Sequence, residues 1–418
     1  MPSIHPPRAA SGAHRLAGLD ALRGLAAVAI VVLHVWLYTT TTSADRDGLD
    51  EAVIHQFRLA LTLFFVLSGY LLYRGWVAAV IDGRQRPRMG RYALSRARRL
   101  APGAWLCLAI TAPVLVLLDD VRGVVVPDAH LLPLFAVFAQ GVHPETLARL
   151  NPPMWTLTVE ASFYLVLPLL GVLAARLVGS SRIAPRTALM APAVLLVVLG
   201  TAWNAWLALR PQGSGLLLAS ALPALAPCFA AGMAAAVLAH GATLRPRHVR
   251  ALAILGVAVV VAGGWWHESG AAGTSIAGRV IRDFGAAVGF AALVVTVAHA
   301  ARPVRLLSRG PLPWLGERSY GVYLWHMPVI YVLRGAGVFP EGRTTAAVLV
   351  VFALVVPIAH LSWTLVERPA LRWSPRRRGE AKPRPRPDRP NPRPVRAGTA
   401  ATRRPGHEPR VAGATRGA

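Results

Sequence analysis

The stretch Leu19-Asp20-Ala21-Leu22-Arg23-Gly24-Leu25-Ala26-Ala27-Val28-Ala29-Ile30-Val31-Val32-Leu33-His34-Val35-Trp36-Leu37-Tyr38 is apolar enough to cross a bilayer, yet it carries an aspartate, an arginine and a histidine. A hydrocarbon core about 30 Å thick needs about 20 mostly apolar residues in a helix. Each ionisable group inside one costs roughly 2.5–3.5 kcal/mol on insertion scales and asks for a reason. Asp20 and Arg23 are three apart and can pair on one helix face. Arg23 and His34 are eleven apart, about 1100° of rotation and so about 20° from three full turns. They share a face, about 16 Å apart along the axis. This places Arg23 near the cytoplasmic surface and His34 near mid-membrane. His34 alone reads equally well as a core histidine bonded to a neighbouring helix; the shared face with Arg23 favours function.

The rest of the chain repeats the span. Ten segments meet the length test: 16–38, 57–79, 102–119, 158–178, 187–209, 215–239, 250–267, 280–300, 318–334 and 344–366. Residues 131–140 are too short to cross and read as re-entrant, interfacial or buried against the bundle. The 418 residues are 54% hydrophobic and 15% charged, against about 25% charged in soluble domains. The net charge of +26 lies in short loops and the tail, not on one folded face, which argues against nucleic-acid binding. With the N-terminus inside, the inner loops collect Arg84, Arg86, Arg88, Arg91, Arg96, Arg98 and Arg99, then Arg182 and Arg186, Arg245, Arg247 and Arg250, and Arg302, Arg305 and Arg309. The outer loops hold only Arg46, Arg122, Arg149, Arg210, Arg279 and Arg343. The positive-inside rule then predicts an all-α bundle of about ten transmembrane helices with both termini cytoplasmic. Residues 1–15 form a short cytoplasmic segment, 16–370 the membrane domain, and 371–418 an Arg/Pro-rich tail too poor in apolar residues to fold. The start of the chain does not read as a removable signal peptide. Cys107 and Cys228 lie in apolar runs, so neither a disulfide framework nor a zinc site is expected. His and carboxylate residues do not fall at metal-ligand spacings.

Four further stretches carry chemistry. Phe64-Phe65-Val66-Leu67-Ser68-Gly69-Tyr70 holds small residues that permit close helix approach. Arg96 and Arg99 are three apart and on a helix form a fork suited to phosphate groups. Trp155-Thr156-Leu157-Thr158-Val159-Glu160 places Glu160 at or just inside the outer boundary, with Tyr164 one turn on. In the ninth span Ser319, Tyr323 and His326 share a face at spacings of four and three. Two imidazoles at similar depth on different helices, below an arginine-lined cytoplasmic mouth, describe a reaction chamber.

These stretches together resemble the acyltransferase 3 family of integral-membrane acyltransferases. The resemblance rests on Arg23 and His34 in the first helix, the run from Phe64 to Tyr70, and Arg96 and Arg99 with Leu100 and Pro102. It continues with Trp155 to Glu160 plus Phe163 and Tyr164, then Leu315 to His326, and Glu367-Arg368-Pro369. It runs in order from about residue 16 to 370. Ala161 and Ser95 depart from it, standing where the family often has a second glutamate and a first arginine. Nothing foldable follows the last span, so the chain looks like the stand-alone type without a fused hydrolase-like domain. The resemblance implies acyl-CoA, commonly acetyl-CoA, as co-substrate, with no permanently bound cofactor. It implies a hydroxyl acceptor on a carbohydrate or glycosylated metabolite, and a cell-membrane location, the bacterial plasma membrane. Arg23, Arg96 and Arg99 would hold the donor and His34 would act as general base. His326, Ser319 or Tyr320 would face the oxyanion, and Glu160 would orient the acceptor or an imidazole from the outer side. Asp20, Ser68 and Tyr164 would support them. The alternative is a multi-pass transporter or flippase, which also has intramembrane charges; the absence of an internal repeat counts against it.

Overall fold

The structure, a computed structural model, describes residues 8–39, 49–118, 121, 123–180, 183–210, 215–268, 276–300 and 305–373. The tail from 374 onward, residues 1–7, Arg46, Arg122, Arg182 and Arg302 lie outside the described residues. Among the described residues, ten long helices run in order: α1 Arg8–Thr39, α2 Ala60–Ile81, α3 Met89–Val116, α4 Trp155–Ser180, α5 Pro185–Ala208, α6 Leu222–Leu238, α7 Pro246–Glu268, α8 Ile276–His299, α9 Ser319–Gly335 and α10 Thr344–Ser362. The protein is an all-α polytopic membrane protein. Nine of these segments reach the length and apolarity of a span, α6 only together with the short helix Gly215–Ala219 before it; α9, with 17 residues, is about 26 Å long and falls just short by length.

Two helices start well before the expected spans. α1 begins at Arg8, not near residue 16. α3 begins at Met89 and runs through Pro102, where the sequence suggested a span starting after a basic loop. Proline reads as a helix start, but membrane helices tolerate it inside. Arg91, Arg96, Arg98 and Arg99 therefore belong to the first turns of α3, not to a loop. Residues 131–140 do not cross: a turn at Ala129–Leu131 leads into the short helix Leu132–Ala136, pinned where the Trp105 indole donates to the Ala136 carbonyl at 2.8 Å.

Lipid tails are as apolar as leucine, so packing rather than hydrophobicity drives helix association. The glycines show where backbones meet. Gly69 on α2 faces the Phe229 carbonyl of α6, where an added Cβ would stand 2.2 Å from the oxygen. Around this contact Phe229 stacks on Phe163 of α4, with ring centroids 4.0 Å apart.

Hydrogen bonds at the helix ends sort the loops into two sets. At one end His240 Nε2 meets Asp82 Oδ1 at 2.8 Å, Arg186 donates to the His240 carbonyl at 3.1 Å, and the Leu244 amide donates to the His299 carbonyl at 2.7 Å. The Arg98 guanidinium lies over the Trp373 ring, 4.6 Å from its centroid. This is the arginine end. At the opposite end Tyr38 and Tyr331 share a hydroxyl contact at 3.0 Å, and the Gly342 amide donates to the Thr39 carbonyl at 3.1 Å. The start of α1 and residue 373 both belong to the arginine end.

Candidate functional site

A cavity enclosing about 820 Å3, counting space open to solvent, lies where α1, α2, α3, α4 and α9 meet. Arg23, Arg96 and Arg99 all contribute to its wall, together with Glu160, Tyr164, Ser68, Ser319, Tyr320 and Tyr323. Three cations from two helices thus face one space. Arg23 donates to Asp20 Oδ1 at 3.1 Å, the pairing expected from their spacing. Asp20 sits where α1 touches the helix Pro311–Glu317; a Cβ on Gly316 would lie 1.7 Å from the Asp20 carbonyl oxygen. Arg96 reaches Ser95 Oγ at 3.0 Å and lies over the Tyr164 ring, while Arg99 lies over the Tyr320 ring, each 5.7 Å from the centroid. Arg96 Nε is buried with no partner among the described residues. Two neighbouring guanidinium groups resting on aromatic faces keep their donors available for an anion.

Glu160 is not at the outer boundary. Its Oε1 accepts from Ser68 Oγ at 3.2 Å and from the Tyr164 hydroxyl, inside the same cavity as the arginines. The cause is the segment before α4, which dips into the bundle. Asn151 Nδ2 donates to the Leu324 carbonyl at 2.8 Å, five residues into α9, and Tyr323 donates to the Pro153 carbonyl. α4 therefore starts at depth, and Glu160 lies on the arginine side of the histidines.

The histidines form a pair of their own. The rings of His34 and His326 stand 5.0 Å apart, centroid to centroid, at 55°. Neither ring is part of the cavity wall; Tyr323 connects them to it, its ring 5.9 Å from that of His326. His34 is five residues short of Thr39, about 7.5 Å from the end of α1, while His326 lies near the middle of α9. Ring nitrogens facing carbonyls must donate. His34 Nδ1 therefore gives its proton to the Ile30 carbonyl at 2.9 Å, and His326 Nδ1 points at the Val322 carbonyl at 3.3 Å. In the neutral rings this leaves each Nε2 as the lone-pair nitrogen. His326 is fully buried and its Nε2 has no partner among the described residues, a cost of about 1–3 kcal/mol.

Of the expected oxyanion donors, Tyr320 is committed elsewhere: its hydroxyl donates to the Leu100 carbonyl at 2.7 Å. Ser319 lines the cavity. Three residues to which the sequence reading gave no role sit close to this site. Tyr323 is one, its hydroxyl 2.6 Å from Thr156 Oγ1, and Thr156 is the second. Glu367 is the third, 2% exposed and packed by Gly103, with Oε1 accepting from Ser362 at 3.0 Å and Oε2 without a partner among the described residues. It ends a π-helical turn, Trp363–Glu367, a form often found at functional sites. The spacing of four and then three from Ser319 through Tyr323 to His326 already placed Tyr323 on the site's face. Among the described residues no group of three His, Cys, Asp or Glu side chains converges on a common point.

A family model described as an acyltransferase domain matches residues 16–364. The chain is 28% identical over 380 residues to YrhL of Bacillus subtilis (strain 168), whose name assigns it provisionally to peptidoglycan O-acetylation; the match covers 85% of this chain and 55% of that protein. It is 23% identical over 377 residues to the peptidoglycan O-acetyltransferase OatA of Listeria monocytogenes, covering 84% and 55%. It is 24% identical over 403 residues to nodulation protein 10 of Rhizobium leguminosarum, covering 88% and 96%. The chain thus spans about half the length of the first two. No solved structure matches the chain.

Proposed function

Because the chain belongs to the acyltransferase-domain family, we propose that it moves an acyl group, acetyl first among them, from acyl-CoA to a carbohydrate hydroxyl within a bacterial plasma membrane. The observation that carries this reading is the convergence of Arg23, Arg96 and Arg99 on one cavity that reaches Tyr323 and, behind it, the imidazole pair. Phosphate groups of the donor pair with the arginines, and the arginine end faces the cytoplasm, as the positive-inside rule asks. The pantetheine arm carries the thioester past Glu160 and Tyr323. His34 Nε2 removes the acceptor hydroxyl proton, the oxygen bonds the acyl carbon, and the carbon–sulfur bond breaks. The thiolate leaves and takes up a proton. A neutral imidazole is suited to this proton transfer near pH 7. The names of the relatives support a glycan acceptor.

The test uses purified protein in nanodiscs with acetyl-labelled acetyl-CoA and a panel of saccharides. The expected result is label on the saccharide and one free CoA thiol per ester formed. Movement of an unmodified solute with no loss of thioester would assign the chain to transport and overturn the reading.

A further inference from the structure

A second cavity opens toward the opposite end of the bundle, at the ends of α2, α4, α5, α6 and α8 that lie away from the arginine end. It encloses about 970 Å3, counting space open to solvent. Leu61 and Phe65, one turn apart on α2, line both cavities. Trp155 lines the second while its neighbour Thr156 lines the first. The wall between the two is therefore one side chain thick.

The wall of the second cavity is mostly apolar, but it carries Arg58, Thr62, Asn204, Ser220, Arg282 and Asp283, which a purely lipid-facing groove would not. Arg282 is 6% exposed and its guanidinium meets Asp283 Oδ1 at 2.6 Å. Arg282 is the first residue of its span, and a charge buried that close to the bilayer asks for a partner or a function. Asn204 spends its amide protons on the Gly200 and Ala224 carbonyls, at 2.8 and 2.9 Å, so its Oδ1 is the atom left to accept. Trp155 adds an indole surface, apolar in body and suited to the C–H face of a sugar ring. An aromatic platform with a few directed polar groups is the composition of a small-molecule site. The imidazole pair lines neither cavity, though His34 lies nearer this end of α1 than the arginine end.

We propose that this second cavity is the acceptor site. It binds the hydroxyl-bearing carbohydrate against Trp155, Asn204 and the Arg282–Asp283 pair, while the donor occupies the arginine cavity, and the two substrates meet at the Leu61–Phe65 boundary that both cavities share. This rests on the acyl-transfer reading above and adds to it the residues that choose the acceptor. Donor and acceptor then enter from opposite ends, and neither has to leave for the other to bind.

The experiment uses the full chain in nanodiscs with Cys228→Ser and Ala219→Cys, which place one thiol in the second cavity. A membrane-impermeant maleimide is added with and without a β-1,4-linked amino-sugar disaccharide, acetyl-CoA or glycerophosphate. The disaccharide is expected to slow labelling at least about fivefold, and acetyl-CoA to leave it unchanged. In parallel, Asn204→Ala and Asp283→Asn should raise the acceptor KM at least about tenfold with the donor KM unmoved. Unprotected labelling in a protein that still transfers acyl groups overturns the inference and leaves the acyl-transfer reading standing. Protection by glycerophosphate but not by the disaccharide assigns the cavity to lipid headgroups and also overturns it. If the parent protein consumes no thioester, the acyl-transfer reading fails, and the labelling result still decides whether the cavity holds a sugar.

Discussion

α9 and α7 are both long apolar helices, and they do opposite work. Fourteen of the seventeen residues of α9 are buried, including Ser319, Tyr320, Tyr323 and His326. Along the most apolar stretch of α7 only 11% of the residues are buried, and Ile254, Leu255, Val257, Val261 and Trp265 face outward. α7 touches its neighbour α8 where Gly256 and Gly289 approach each other's carbonyls. The difference teaches that in a bilayer apolarity does not mark the core. The most central helix is the more polar one, because only inside the protein do its hydroxyls and imidazole find partners.

The comparison breaks first under truncation. Ile330→Ala on α9 removes a side chain with no exposure and should cost about 2–5 kcal/mol through the cavity it leaves. Thermal unfolding in detergent reads this as a clear loss of Tm; an unchanged Tm would mean α9 is not the packed centre. Next comes the chemistry α9 helps to wall. Arg99→Gln should raise the donor KM about tenfold, about 1.4 kcal/mol, with part of the rate recovered at high acyl-CoA. Initial rates against acyl-CoA concentration check it. Val261→Ala on α7 is the counterpart of the first substitution and should stay within about 0.5 kcal/mol of the parent, as the same melting experiment would read.

How much of this was legible beforehand follows from the same contrast. The long helices could be found from apolar length, α9 only loosely, because backbone satisfaction in lipid leaves few choices. The Asp20–Arg23 pair and the three-arginine wall were legible because helical phase is local. Glu160 was misplaced, since its depth depends on the Asn151–Leu324 bond between segments 173 residues apart. The helical start of α3 was hidden by Pro102. That the histidines would pair with each other behind Tyr323, outside the cavity wall, depends on how α1 and α9 dock, which single-helix phase does not encode.

The smallest effect belongs to the arginine end. Hydrogen bonding from His240, with Arg84 nearby, holds the Asp82 carboxyl below its ordinary value of 3.8. A carboxyl lowered in the folded state contributes stability above its unfolded pKa and loses it as pH falls through the folded value. Between pH 6 and about pH 3 the parent should therefore lose a small increment of stability that Asp82→Asn lacks at the outset. Parallel melting curves at stepped pH would show the two converging on acidification.

The account stands most directly on His34. Turnover of labelled acetyl-CoA into saccharide ester should be measured for His34→Gln alongside donor binding by the same protein. The account predicts a rate lower by about 10²–10⁴-fold, the usual worth of a general base, with acetyl-CoA still bound at the arginine cavity. Near-normal turnover by His34→Gln would contradict it and pass the role of base to His326.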